Sequence, residues 1–295
     1  MNRAKSFSLA IAFLLTITLG ILLVLTLRDP VPVAFDGQRA LADVAYQMAL
    51  GPRTPGSTAH DAAVGWMVES LQAADWEVDV QLAERLGHPI RNVVAKRGSG
   101  GPWYILGAHY DSRLVADHDP DPEARLQPVP GANDGASGVA VLLELARVLP
   151  RQVDGQIWLV LFDAEDNGGI EGWDWILGSS VFAESLTTFP DGVVIVDMIG
   201  DADLQIYLEA NSDVELRTEI WEQAAALGHS EVFINTVKHS MLDDHTPFLR
   251  LGIPAIDIID FDYPFWHTQA DTLDKVSASS LQIVGDTLLA WLLDR

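Results

Sequence analysis

Between residues 36 and 295 the apolar positions switch between two periods. Residues 36–50 and 59–74 carry apolar side chains at helical spacing: Leu41, Val44, Ala45 and Met48 in the first stretch, Val64, Met67, Val68 and Leu71 in the second. Asp36 stands where an N-cap is needed, because its carboxylate can accept from the free amides of a first turn. The turn-rich break Gly51-Pro52-Arg53-Thr54-Pro55-Gly56-Ser57 separates the two helices. Period-two alternation then predicts strands at 76–80 and 90–96. Unbroken apolar runs predict buried strands at 103–108, 157–162, 192–196 and 253–259. Helical stretches fall at 139–149, 173–184, 213–227 and 277–293. Helices alternating with widely separated apolar strands predict an α/β chain, a three-layer α/β/α sandwich around a mostly parallel central sheet.

The N-terminus follows another pattern. Residues 7–27 form an uninterrupted uncharged run behind Arg3 and Lys5, long enough to span a bilayer as one transmembrane helix. A secretory signal has a shorter apolar core and a small-residue cleavage site, whereas Arg28-Asp29-Pro30 follows here. The reading is an uncleaved signal anchor, with cleavage near Ala34 as the alternative. Residues 1–6 are then a short cytoplasmic tail, 28–35 a linker stiffened by Pro30 and Pro32, and 36–295 a folded domain outside the cytoplasm.

Composition narrows the chemistry. There is no cysteine, so disulfides, thiolate metal sites and a cysteine nucleophile are excluded. Against 18 Lys and Arg stand 42 Asp and Glu, a net charge of -24. Phosphates would be repelled, which argues against nucleic acid as a partner, while cationic ligands such as peptide amino termini are compatible.

The candidate chemistry sits where strands end. The 157–162 run is followed at once by acidic residues, among them the adjacent pair Glu165 and Asp166. Two neighbouring buried carboxylates are costly unless each has a task. His109 and Asp197 also end apolar strands, and Asp134 lies in a glycine-rich entry to a helix. Each alone has a plain reading: a solvated acidic loop, a histidine bonded to backbone, a turn. In open α/β sheets, however, strand ends share one edge and converge. With His267, the set His109, Asp134, Asp166 and Asp197 offers only imidazole nitrogen and carboxylate oxygen, a mix that suits zinc. Five such ligands would serve two ions ~3.5–4 Å apart that share a bridging carboxylate.

Five motifs, in order, resemble the zinc aminopeptidase and glutaminyl cyclase superfamily, family twenty-eight of the metallopeptidases. They are Gly107-Ala108-His109-Tyr110-Asp111-Ser112, Gly131-Ala132-Asn133-Asp134-Gly135, Phe162-Asp163-Ala164-Glu165-Asp166, Asp197-Met198-Ile199-Gly200, and Trp266-His267-Thr268 with Asp271-Thr272. The resemblance runs from about residue 50 to the C-terminus and implies that 36–295 is a zinc-dependent catalytic domain. It implies Glu165 as general base and acid, Asp134 as a bridging or single ligand, and Asp166 and His267 on the principal zinc. His109 and Asp197 would hold a second zinc if there is one, with Asp111 orienting His109. Position 166 departs from the family pattern, which usually has Glu there.

Two chemistries share that scaffold. Aminopeptidases hydrolyse the N-terminal peptide bond. Glutaminyl cyclases convert N-terminal glutamine to pyroglutamate and release ammonia. Asp243-Asp244-His245-Thr246-Pro247-Phe248-Leu249 resembles the cyclase motif, whose first acid helps to hold the reacting nitrogen, whereas peptidases typically have Ser-Asp-His there. Trp266 is also cyclase-like and would wall a substrate pocket, with core packing as its plain reading. Asp243 as an N-cap or a partner of His245 is the plain alternative for that residue. Trp173 and Trp175 lie near the place of a cyclase pocket tryptophan, at a different spacing. The expectation is a peptide N-terminus cyclase, with an aminopeptidase second and a membrane-tethered zinc- or peptide-binding protein without catalysis third.

Overall fold

The structure, a computed structural model, describes residues 34–295. The expected tail 1–6, the membrane segment 7–27 and the linker up to residue 33 lie outside these residues. No helix among the described residues is long and apolar enough to cross a membrane.

Helix α1 (Gly37–Leu50) starts at Asp36, whose side chain accepts from the amides of Gln38 and Arg39, and α2 (Thr58–Ala73) is capped in the same way by Ser57. The inward face of α1 differs from the expected one. Ala40, Asp43, Val44 and Gln47 are buried, while Leu41, Ala45 and Met48 sit at the margin. Polar residues can occupy this face because they find partners. Arg147 binds both carboxylate oxygens of Asp43, and the Gln47 amide donates to the Ala136 carbonyl at 3.1 Å.

Six strands form the central sheet: β1 (Glu77–Arg85), β2 (His88–Gly98), β3 (Trp103–His109), β4 (Gln156–Phe162), β5 (Gly192–Asp197) and, after two strands of a second sheet, β8 (Ala255–Ile259). Their spatial order is β1-β2-β4-β3-β5-β8. Strands β4, β3, β5 and β8 are parallel, as expected, and the β1–β2 hairpin adds an antiparallel edge. The parallel strands are apolar on both faces because both are covered. Leu106, Ala108, Leu159, Leu161, Val194 and Val196 face a large core with α1, α2, α3 (Ala136–Val148), α5 (Val214–Ala226) and α7 (Ala278–Leu293). The alternate residues Ile105, Val160, Phe162, Val193 and Ile195 face a smaller core with Phe182 of α4 (Leu177–Ser185) and Phe248 of α6 (Thr246–Arg250). This is the three-layer sandwich.

Other details depart from expectation. Helix α4 begins at Leu177 rather than near 173, because Ile176 takes a left-handed conformation at φ 56° and Trp173 turns aside to stack on His88 at 3.5 Å. Helix α3 begins three residues early, directly after Gly135. Strands β6 (Ile206–Glu209) and β7 (Phe233–His239) form a separate two-stranded parallel sheet that the apolar pattern did not announce. What matters for function is that β4, β3 and β5 are neighbours. Their carboxyl ends bring the segments after Phe162, His109 and Asp197 to one place.

Candidate active site

His109 is the last residue of β3, Asp197 the last of β5, and Glu165 and Asp166 follow β4. Asp134 lies just before α3, and His267 in the connection after β8. These residues assemble into two buried groups of possible ligands, His109–Asp134–Asp197 and Asp134–Asp166–His267, which share Asp134. The two oxygens of Asp134 divide between them: Oδ1 is 3.1 Å from His109 Nε2, and Oδ2 is 3.6 Å from His267 Nε2. His109 Nε2 also lies 3.1 Å from Asp197 Oδ1, and His267 Nε2 lies 2.7 Å from Asp166 Oδ1. The shorter arm at position 166 therefore reaches the cluster. Three non-glycine residues in or beside the cluster, Ala164, Met198 and His267, take left-handed conformations, at φ 52°, 48° and 55°. Such strain persists only where the surroundings over-determine it, and it gathers at functional sites.

The supporting shell is extensive. Asp111 lies 3.5 Å from His109 Nδ1, on the side away from the carboxylates, and also accepts from the amides of Glu165 and Asp166. Asp271, quoted in the last motif without a role, holds the Asp134 turn by accepting from the amides of Asn133 and Asp134 at 2.8 and 3.1 Å. The fully buried Arg53 donates to the carbonyls of Tyr110, Pro130 and Gly131. It lies in the turn-rich break 51–57, and no periodicity marks it. Gly131 is needed beside it, since at φ +74° an added Cβ would also run into the guanidinium.

The residues present fit zinc. All five donors are nitrogen or carboxylate oxygen, and Asp134 Oδ2 and Asp166 Oδ2 are buried with no hydrogen-bond partner. Burial of this kind is costly unless something binds there. Electrostatics say the same. Burial, then Asp134, pushes Asp166 up to about 6. Burial pushes Asp197 up to about 7 even with His109 beside it. Burial alone would lower the His109 imidazolium, but Asp197, Asp111 and Asp134 outweigh it and raise the group well above its ordinary value. Each of these groups thus binds its proton more tightly in the folded, metal-free chain than in the unfolded one, where Asp titrates near ~3.9. The contribution of Asp166 and Asp197 to stability is fully present below ~3.9 and is lost as pH rises through about 6 to 7. Metal-free protein is expected to melt roughly 5 °C lower at the alkaline end of that window than below it. The rise in Tm on adding zinc should grow over the same range. Thermal melts with and without zinc check this, and a zinc increment that shrinks with rising pH would contradict it.

Beside the cluster is a cavity of about 200 Å³. Its floor carries Asp134, Glu165, Asp166, Asp197 and Asp243, and its walls include Trp175, Trp266, Phe261, Met198 and Ile259. It is smaller than the ~300–1,000 Å³ common for small-molecule sites and so takes the end of a ligand rather than a whole one. Trp266 is half-buried and faces this space, with its ring centroid 3.9 Å from that of His267. It also packs against the buried Met198, Ile259 and Tyr263, so lining the cavity and packing are combined in one side chain. Of the two tryptophans at the uncertain spacing, Trp175 reaches the site and stacks on His267 at 5.9 Å and 12°, while Trp173 lies on the β1–β2 hairpin. Gly168 is buried and seats the Trp175 indole, where an added Cβ would collide.

Glu165 and Asp243 are both buried at this floor. Burial, then the charge of Asp243, pushes Glu165 well above the usual carboxyl range. Asp243 is not the cap of α6; His245 occupies that position. The His245 ring lies behind Asp243, 3.4 Å from Glu209 and 3.9 Å from Asp257, and belongs to neither ligand group that shares Asp134.

Comparison with known proteins agrees with this geometry. The sequence profile of Peptidase family M28 matches residues 92–292, a span that contains every residue of both ligand groups. A glutaminyl-peptide cyclotransferase of Drosophila melanogaster is 28% identical over 284 residues, covering 81% of this chain and 77% of its own length. Among solved structures, the Porphyromonas gingivalis glutaminyl cyclase superposes with a TM-score of 0.83 at 33% identity, over 88% of this chain and 98% of that one. A leucine aminopeptidase precursor from Bacteroides thetaiotaomicron superposes with a TM-score of 0.85 at 30% identity, over 90% and 99%. These relatives are enzymes, so the reading of a binding protein without catalysis is dropped. The chain is an enzyme that belongs to Peptidase family M28.

Proposed function

We propose that this enzyme is a zinc-dependent glutaminyl-peptide cyclotransferase, which turns the N-terminal glutamine of a peptide into pyroglutamate and releases ammonia. The observation that carries the proposal is Asp243: a buried carboxylate on the floor of the same small cavity as Glu165, and the largest charge acting on it. Zinc, one ion or two, would be held by His109, Asp134, Asp166, Asp197 and His267, and when bound supplies Lewis acidity to the substrate amide and balances the buried carboxylates.

The protein's own groups do the rest. Asp243 accepts a hydrogen bond from the substrate's α-amine and holds it toward the side-chain amide. The amine nitrogen attacks the amide carbon, and the bond from that carbon to the amide nitrogen breaks. Glu165 takes a proton from the attacking amine and delivers it to the departing nitrogen, which leaves as ammonia. A raised pKa suits this two-way traffic, since a shuttle works best when its pKa lies near the working pH. Trp175 and Trp266 flank the glutaminyl side chain and keep out water that would compete with the amine.

One observation favours the second reading, an aminopeptidase. Both ligand groups are complete and share Asp134, as in two-metal hydrolytic sites. Glu165 would then take the proton of an attacking water and pass it to the leaving amine. The proposed location, tethered to a membrane by residues 7–27 with the enzyme outside the cytoplasm, rests on the sequence alone.

The deciding experiment incubates zinc-loaded protein with a glutamine-first and a leucine-first peptide and follows the products by mass. Loss of ammonia from the first alone is expected, abolished by a chelator and restored by zinc. Release of a free N-terminal residue from either peptide would replace the cyclase reading with the peptidase one.

A further inference from the structure

The loop that follows β3 comes back to the far side of His267. The ring of His267 turns Nε2 toward Asp134 and Asp166, and its other nitrogen, Nδ1, is buried with no hydrogen-bond partner. Asp117 Oδ1 is the carboxylate oxygen on that side, 3.7 Å away. His109 has the same arrangement, with Nε2 toward the carboxylate cluster and Nδ1 toward Asp111 at 3.5 Å.

Asp117 is exposed, and such a side chain would not hold its place alone. Arg113 holds it. Its Nε donates to Asp117 Oδ1 at 2.8 Å and its Nη2 to Oδ2 at 2.6 Å, a bidentate pair. Arg113 is itself buried, and its Nη1 donates to the carbonyls of Asp166 and Gly168 at 2.7 and 3.1 Å. Its guanidinium also lies over Trp175, 5.0 Å from the ring centroid. The loop is tied to the histidine by backbone as well, through the bond from the His118 amide to the His267 carbonyl at 3.2 Å. One arginine therefore joins the carboxylate behind His267, the backbone of Asp166 and the face of Trp175. All three belong to one half of the site.

We propose that Asp117, clamped by Arg113, is the positioning residue for His267: its carboxylate accepts a hydrogen bond from Nδ1–H and fixes the ring with Nε2 directed at the metal. The present separation is an electrostatic contact, and a small tilt of the imidazole brings it within the ~2.7–3.2 Å of a hydrogen bond. Carboxylates behind a ligating histidine set its tautomer and raise its basicity, and their loss typically weakens metal affinity by ~10–100-fold. The proposal rests on the zinc reading above and adds to it a residue from outside the ligand motifs.

The test compares zinc release from the parent, Asp117→Asn and Arg113→Lys to a chromogenic chelator, together with zinc content and the melting temperature of each zinc-free protein. Asp117→Asn should lose one zinc equivalent about tenfold or more faster. Arg113→Lys, which cannot form the bidentate clamp, should fall between it and the parent. The zinc-free melting temperatures of Asp117→Asn and the parent should agree. Release from Asp117→Asn within twofold of the parent would overturn the proposal. So would a zinc-free Asp117→Asn that melts several degrees lower, because the loop rather than the histidine would then be what Asp117 supports. A parent that binds no zinc would instead sink the zinc reading itself.

Discussion

Replacing Glu165 by Gln is expected to lower turnover by about 10²–10⁴-fold while zinc content stays that of the parent. The glutamine keeps the size of the side chain and loses only the ability to take up and return a proton. Glu165 belongs to neither of the two ligand groups that share Asp134, so metal binding does not depend on it. The loss should fall on kcat rather than on KM, because the proton transfer occurs in the transition state. The variant should also be no less stable than the parent. Its carboxyl is buried and held well above its ordinary value by burial and by Asp243, so removing the charge relieves a cost. Steady-state kinetics on a glutamine-first peptide, with metal analysis of the same sample, check both halves. Retained activity would show that the proton moves by another route.

The second large effect concerns Asp243. Asp243→Ala should abolish pyroglutamate formation, on the order of 10²-fold or more, with zinc retained. Asp243→Asn refines the test. It keeps the shape and the acceptor for the Asp244 amide while removing the charge. The negative charge of Asp243 raises the Glu165 pKa, so without it that pKa falls and the acid limb of the pH–rate profile moves to lower pH. An unchanged rate of cyclisation in Asp243→Ala would remove Asp243 from the role given to it here.

The candidate ligand set was legible because of where it sits. His109 and Asp197 terminate unbroken apolar strands, and Glu165 and Asp166 follow one, which a buried parallel strand makes conspicuous. His267 and Asp134 became legible through their motifs, since neither ends a strand. The supporting shell was less visible. Arg53, Arg113 and Asp271 act through backbone carbonyls and amides contributed by segments far away in the chain, and no local pattern encodes such partners. The face of α1 misled for a related reason: Asp43 and Gln47 look like solvent positions and are buried against Arg147 and a backbone carbonyl. Strand β6 spans four residues and β7 is mostly exposed, too short and too polar for a periodic signal. Helix α6 is five residues long with proline in its first turn, and it was read only as part of a motif.

The cavity floor is drawn from two sources. The sheet edge and the turns packed on it supply Asp134, Glu165, Asp166 and Asp197, while Asp243 comes from the connection between β7 and α6. The residue that distinguishes cyclisation from hydrolysis in this reading is therefore separable from those that hold the metal. In this reading, a change in that short connection would redirect the reaction without disturbing the scaffold. Overall likeness between two such chains is then a poor guide to which reaction each performs, and the connecting segment is the informative place to look.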